Sequence, residues 1–225
     1  MSKKASRNAA GKSRKSNSSS QIVGKSSSGY DCAERIRKCC ISWHECVQKW
    51  KSTNSNGLEL ATKIVNEQLQ KSSTEQDDLD ETSPDSFGFG ISDEDNEILS
   101  DKEKLVKIFN SLKDIHKKMN SLTSNFEAIS SLWELKEGVS KSQKPVFETW
   151  PLGNYVNVSR KLASMFEQEL RLKERLVAMV LRQATIDSRS KLMACLAMWL
   201  HQPYLDDNYQ LELELMLLET GLGTA

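Results

Sequence analysis

Two interleaved series of apolar residues, each repeating every seven positions, run through the middle of the chain. Ile98, Leu105, Leu112, Met119, Phe126 and Trp133 form one, Ile108, Ile115, Leu122 and Ile129 the other, and no glycine or proline interrupts Ile98 to Glu137. A 3.5-residue spacing kept up this long draws an apolar seam along one helix and favours a left-handed supercoil with a partner helix. At about 1.5 Å per residue the helix is on the order of 60 Å long, so it packs lengthwise. Each seam side chain gains roughly 1.5–3 kcal/mol on burial, so another helix must cover it. The seam is a candidate interaction surface, and the spacing leaves open whether this chain or another closes it.

A second seam starts at Asp31, where Ile36, Trp43 and Trp50 stand seven apart and Cys32, Cys39 and Cys46 form the companion series. It runs on weakly through Leu60 and Ile64, but Thr53-Asn54-Ser55-Asn56-Gly57 is poor helix material and predicts a bend or break, with the first helix pair ending near Lys71. Ser72 to Asn96 is polar and acidic, contains Pro84 and Phe87-Gly88-Phe89-Gly90, and reads as a long flexible linker.

Beyond the central helix, Gly138 to Lys144 reads as a loop, and Phe147-Glu148-Thr149-Trp150 between Pro145 and Pro151 as an extended clamp. Asn154 or Asn157 is placed to cap a helix whose stripe is Val158, Leu162, Met165, Phe166, Leu172, Leu176, Met179 and Val180, with Arg171, Lys173, Glu174 and Arg175 around it. Asp187 or Ser188 starts a shorter helix with Leu192, Cys195, Leu196 and Trp199, stopped by Pro203. The last helix, from about Asp207 to Thr220, places Leu211, Leu215 and Leu218 on one face with Met216 and Leu217 beside them, and Gly221 caps it. The expected fold is all-α: long coiled-coil-like helices, a helical bundle in the C-terminal half, a disordered basic N-terminal tail and an acidic linker. The expected units are a tail at 1–30, a helical segment at 31–71, the linker at 72–97 and a helical domain at 98–225.

Composition adds charge segregation to this picture. The 225 residues are 38% hydrophobic and 28% charged with zero net charge, poor in apolar residues for one compact body, so part of the chain is expected to be disordered. Residues 1–30 carry Lys3, Lys4, Arg7, Lys12, Arg14, Lys15 and Lys25 with no acid, whereas Glu75 to Glu97 is acidic with no base. The basic clusters suit a nuclear localisation signal or contact with nucleic acid; the plainer reading is a solvated tail. With no apolar run of about eighteen residues and no signal-peptide core, a soluble protein of the nucleus, and secondarily the cytoplasm, is expected, with no membrane partner. Five cysteines, four of them between Cys32 and Cys46, lack a disulfide-framework layout and fit reduced thiols.

Candidate chemistry is sparse. Cys39, Cys40, His44 and Cys46 invite a metal reading, but they lie on one amphipathic pattern without the separated ligand pairs of a zinc site, so core packing is expected. His201 has no nucleophile, carboxylate pair or glycine loop beside it and suits a helix C-terminus instead. No phosphate-cradling G-x-x-x-x-G-K-[ST] is present, so no catalytic, metal or cofactor residue is assigned and an enzyme is not expected. Ser83 before Pro84, Ser92 and Ser100 before acidic residues are candidate phosphorylation sites. Arg160-Lys161-Leu162 matches a minimal cyclin-docking string, which the helical stripe through Leu162 opposes. Phe147, Trp150, Trp199, His201 and Tyr204 are candidate docking residues, because aromatic side chains are common interface anchors.

Met198-Trp199-Leu200-His201-Gln202-Pro203-Tyr204 and Met216-Leu217-Leu218-Glu219-Thr220-Gly221, preceded by Phe147, Thr149-Trp150-Pro151, and near the front Trp43-His44 and Lys49-Trp50, resemble the cyclin-dependent kinase 2-interacting protein family. The likeness covers about residue 40 to the C-terminus, leaving the tail and linker unmatched. It implies a small non-enzymatic nuclear adaptor that associates with cyclin-dependent kinase 2 and its cyclin, with Cdc7 kinase at replication origins and with ATR checkpoint proteins. It also implies membership, with a small coiled-coil subunit, of an AAA ATPase complex acting on replication assemblies and on large ribosomal subunits. A nucleic-acid-associated accessory role through the basic tail is the alternative.

Overall fold

The computed structural model describes residues 27–77, 93–138, 143–182 and 188–223. The expectations for residues 1–26, most of the acidic linker, Ser83 and Ser92 lie outside the described residues. Among the described residues five helices follow in order: α1, Ser27–Asp77; α2, Asp93–Glu137; α3, Leu152–Val180; α4, Arg189–His201; and α5, Tyr209–Glu219. The fold is all-helical, as the apolar spacing predicts, with no strand among the described residues.

Side-chain pairs fix the directions. Lys63 meets Glu97 while Glu45 meets Lys118, so α2 runs antiparallel to α1. Phe126 stacks on Tyr155 at 6.1 Å while Thr123, nearer the start of α2, donates to the carbonyl of Ser159, farther along α3, so α3 turns back along α2. Trp50 packs edge-on against Phe166 at 5.0 Å and Gln68 donates to the Val180 carbonyl, placing α3 parallel to α1. Trp199, Gln202 and Thr220 then meet Asn54, Trp50 and Arg37 in turn, so α4 and α5 descend along α1 as one line interrupted at Gln202 to Asn208. The result is an up-down-up-down bundle whose fourth rod is broken in two.

The central seam closes inside this chain. Ile98, Leu105, Leu112, Met119, Leu122, Phe126 and Ile129 are buried and Ile108, Ile115 and Trp133 half-buried, with α1 and α3 packed along α2. Asp101, Phe109, His116 and Thr123 are buried as well, because a helix covered by two neighbours hides a wider arc than one seam. One core cluster joins Trp43, Trp50, Phe126, Tyr155 and Phe166 with α5, and a second joins Ile64, Leu105, Leu176 and Val180 with α4.

Four local expectations are corrected. The bend at Thr53 to Gly57 is absent, and α1 runs through to Asp77. Asn54 and Gly57 are instead the floor for Trp199: the Asn54 carbonyl accepts its indole N–H at 3.1 Å, and a Cβ on Gly57 would lie 2.7 Å from the ring. The α3 N-cap is Pro151 (φ −67°, ψ 161°), not Asn154 or Asn157, since its fixed φ sets the chain for the first turn. The segment between the prolines is no extended clamp, for the Val146 N–H reaches the Trp150 carbonyl at 3.2 Å and closes it into a loop. In α5 the buried face is Tyr209, Leu213, Met216 and Leu217, while Leu211, Leu215 and Leu218 point outward at 53%, 43% and 55% exposure. Tyr209 sets this rotation, its ring packing against Phe166 at 5.7 Å.

Candidate functional site

Two polar locks hold the C-terminal helices on the bundle. The first is built from Lys173 and Glu169, one turn apart on α3, fully buried and 3.1 Å from each other. The Lys173 ammonium donates to the Trp199 carbonyl at 3.2 Å and lies 4.7 Å from the centroid of that indole. Glu169 Oε2 accepts the Tyr204 backbone N–H at 3.3 Å. Burial pushes the Lys173 ammonium down to about 8, with the Glu169 carboxylate opposing the shift. The pair therefore serves the free carbonyl at the end of α4 and the chain beyond Pro203. Gln202 takes the left-handed conformation between them (φ 45°), its N–H on the Met198 carbonyl and its side-chain oxygen accepting Trp50 Nε1 at 2.9 Å.

The second lock lies at the other end of the line. Glu219 is buried and accepts the Thr149 N–H at 2.8 Å, the Trp150 N–H at 3.1 Å and the Thr149 hydroxyl. Burial raises this carboxyl, but the hydrogen bonds outweigh it and hold the group below the usual carboxylate range. Arg37 donates to the Thr220 carbonyl at 3.0 Å and covers the Phe147 ring at 4.9 Å. Phe147 and Trp150 stand edge-on to Tyr155 at 6.2 and 5.3 Å.

These contacts sort the candidate docking residues. Trp199 is 1% exposed and offers no surface. Phe147 and Trp150 are half-buried, and their inner sides have a packing reason that spacing alone does not reveal: Tyr155, Arg37 and Glu219 converge on them. His201 and Tyr204 face solvent, as does Ser100 on α2. Leu162 of the cyclin-docking string is fully buried. Sequence reasoning missed the outward placement of Met193, Met198 and Leu200 of α4 and the outward turn of Leu211, Leu215 and Leu218; apolar residues on more than one side of both helices are the signal that marks it.

Cys39, Cys40 and Cys46 fill the core beneath α1, where burial raises all three thiols, Cys40 most. Among the described residues a different group has carboxylates close enough to share a cation: Glu67, Glu97 and Asp101. The Lys63 ammonium already sits there, 2.7 Å from Glu97, 2.8 Å from Asp101 and 3.6 Å from Glu67, and Lys104 reaches Asp101 from the other side at 2.6 Å. The cluster is thus an ion-pair knot joining α1 to α2.

No family model matches the chain. Among characterised proteins it is similar to the cyclin-dependent kinase 2-interacting proteins of Bos taurus, at 34% identity over 192 residues, Mus musculus, at 33% over 195, and Homo sapiens, at 34% over 196. Each alignment covers 84% of this chain and 89% of the relative.

Proposed function

This chain belongs to the cyclin-dependent kinase 2-interacting protein family, and from that premise we propose that it is a non-enzymatic adaptor in the nucleus that binds cyclin-dependent kinase 2 with its cyclin. The observation that carries this reading is the kinship itself, extending over most of both chains. The geometry is compatible with it: a rigid bundle with a closed core presents fixed outer surfaces, which is what a scaffold for another protein requires. The finer reading adds Cdc7 kinase, ATR checkpoint proteins, and a place beside AAA ATPase subunits and a small coiled-coil subunit in work on replication assemblies and large ribosomal subunits. Closure of the central seam within the chain favours the kinase adaptor, because the face that a lengthwise coiled-coil partner would need is already covered.

The test immobilises the purified full chain and passes recombinant cyclin-dependent kinase 2–cyclin over it at micromolar concentration. Saturable retention supports the reading, and no retention by a chain with intact helical signal overturns it. Affinity purification from proliferating cells with quantitative mass spectrometry tests the wider assembly. Enrichment of AAA ATPase subunits with a small coiled-coil protein supports that part, and their absence overturns it.

A further inference from the structure

A cavity of about 30 Å³ lies where the first turns of α1 meet the last turns of α2. It has room for a short aliphatic side chain but not for an aromatic ring. Its floor is Cys32 and Ile129, both buried, with the half-buried Trp133. Burial raises the Cys32 thiol, so this floor is uncharged. Leu132 forms the outer wall at 46% exposure, and Leu135, one helical turn on, is 83% exposed. A single exposed leucine is ordinary, but two beside a tryptophan-lined cavity extend its apolar surface outward. The Trp133 indole N–H is shielded from solvent and has no acceptor among the described residues. Buried donors are normally paired, and a peptide carbonyl from outside is a group that would pair this one.

Charge and chain length identify the occupant. The rim carries two exposed cations, Arg35 and Lys136, against one acid, Asp31. The neighbouring stretches of the chain do not match it. Residues 1–26, which lead into α1 on this side, hold seven basic residues and no acid, and residues 139–142, which follow α2, hold Lys141 and no acid. The acidic stretch 78–92 joins α1 to α2 at the opposite end. By helix rise that end is on the order of 65 Å away, beyond the reach of so short a connection anchored on both sides. We propose that the cavity is a docking pocket for an acidic peptide segment of a foreign protein. A short aliphatic side chain enters the cavity, a carboxylate beside it in sequence lies between Arg35 and Lys136, and a main-chain carbonyl accepts the Trp133 N–H. A nucleic-acid backbone would use the two cations but leave the apolar floor and Leu135 idle, so the peptide is the better match. The proposal goes beyond the adaptor reading and does not depend on it.

Panning a displayed library of random heptapeptides on the full chain tests it, with the Arg35→Glu, Lys136→Glu double variant as the counter-selection target. Sequences that the wild type retains and the double variant does not are expected to carry an acid next to a short aliphatic residue. The strongest of them, made as a synthetic peptide, is expected to bind the double variant at least tenfold more weakly than the wild type, about 1.4 kcal/mol. Lys136→Ala alone weakens it severalfold, whereas Lys117→Glu, at an exposed position elsewhere on α2, leaves it unchanged. Circular dichroism of every variant matches the wild type. In proton–nitrogen NMR spectra the peptide shifts the indole cross-peak that Trp133→Phe removes, and replacing its aliphatic residue by glycine abolishes the shift. Retention of no sequence over the double variant, or selection of basic sequences, overturns the proposal. A bound peptide that leaves the Trp133 cross-peak in place, or that tolerates the glycine, overturns the seating in this cavity.

Discussion

Lys173 and Glu169 are the residues on which the broken fourth rod depends. Removing one partner of a buried pair strands the other charge, so Lys173→Met is expected to lower stability by about 3–5 kcal/mol in urea unfolding; a loss below about 1 kcal/mol would show the pair to be incidental. Its titration gives a sign as well. The folded ammonium releases its proton near 8 and the unfolded one near the ordinary 10.5, so between these values the unfolded chain holds more protons and stability rises with pH. Wild type compared with Lys173→Met across that window isolates this slope, which only the wild type shows. Glu219 behaves oppositely at the acid end. Its folded carboxyl lies below the ordinary 4.5, so its contribution is complete above that value and is lost as pH falls through the folded one. Glu219→Gln is expected to cost about 1.5–3 kcal/mol at neutral pH, the worth of hydrogen bonds to a charged group, and to flatten the acid limb of the stability profile. An unchanged acid limb would assign the acid loss to other carboxylates. Neither role is written in the local sequence, where Lys173 reads as one of several charges around a stripe and Glu219 as a terminal acid.

At the scale of the element, α1 shows how a packing need overrides propensity. Thr53 to Gly57 reads as a break because each residue there is a weak helix former, yet the segment is small so that Trp199 can lie on it. Gly57→Ala raises helix propensity by about 1 kcal/mol in isolation, but the new Cβ meets Trp199 and, at 3.1 Å, Ile108. The expected net result is a destabilisation of about 1–3 kcal/mol, from overpacking, with a lower melting temperature; a stabilised variant would mean that Trp199 moves aside freely. The outward leucines of α5 teach the complementary point. Apolar spacing shows that a helix has a stripe, but on a helix with apolar residues on both sides it does not show which stripe faces in.

For the whole molecule, the decisive fact is that the long seam of α2 is core. Leu112→Glu with Met119→Lys places two charges at fully buried positions, so the expected outcome is loss of the cooperative fold, read by circular dichroism and a flat thermal scan, rather than release of a partner from an intact protein. A folded, monomeric double variant would mean that the seam is not enclosed by α1 and α3. The sequence by itself determined the helical class, the four cores of apolar spacing that became α1 to α4, the α4 stop at Pro203 and the Gly221 turn, because each depends on residues within a few turns of one another. It also carried the family likeness, through strings whose physical reason the locks at Trp199 and Glu219 now supply. Tertiary structure decided what closes the seam, why Asn54 and Gly57 sit in mid-helix, and which side of α5 is buried. Those outcomes depend on contacts between residues as far apart as Arg37 and Thr220, and apolar spacing specifies only that a face must be covered, not by which segment.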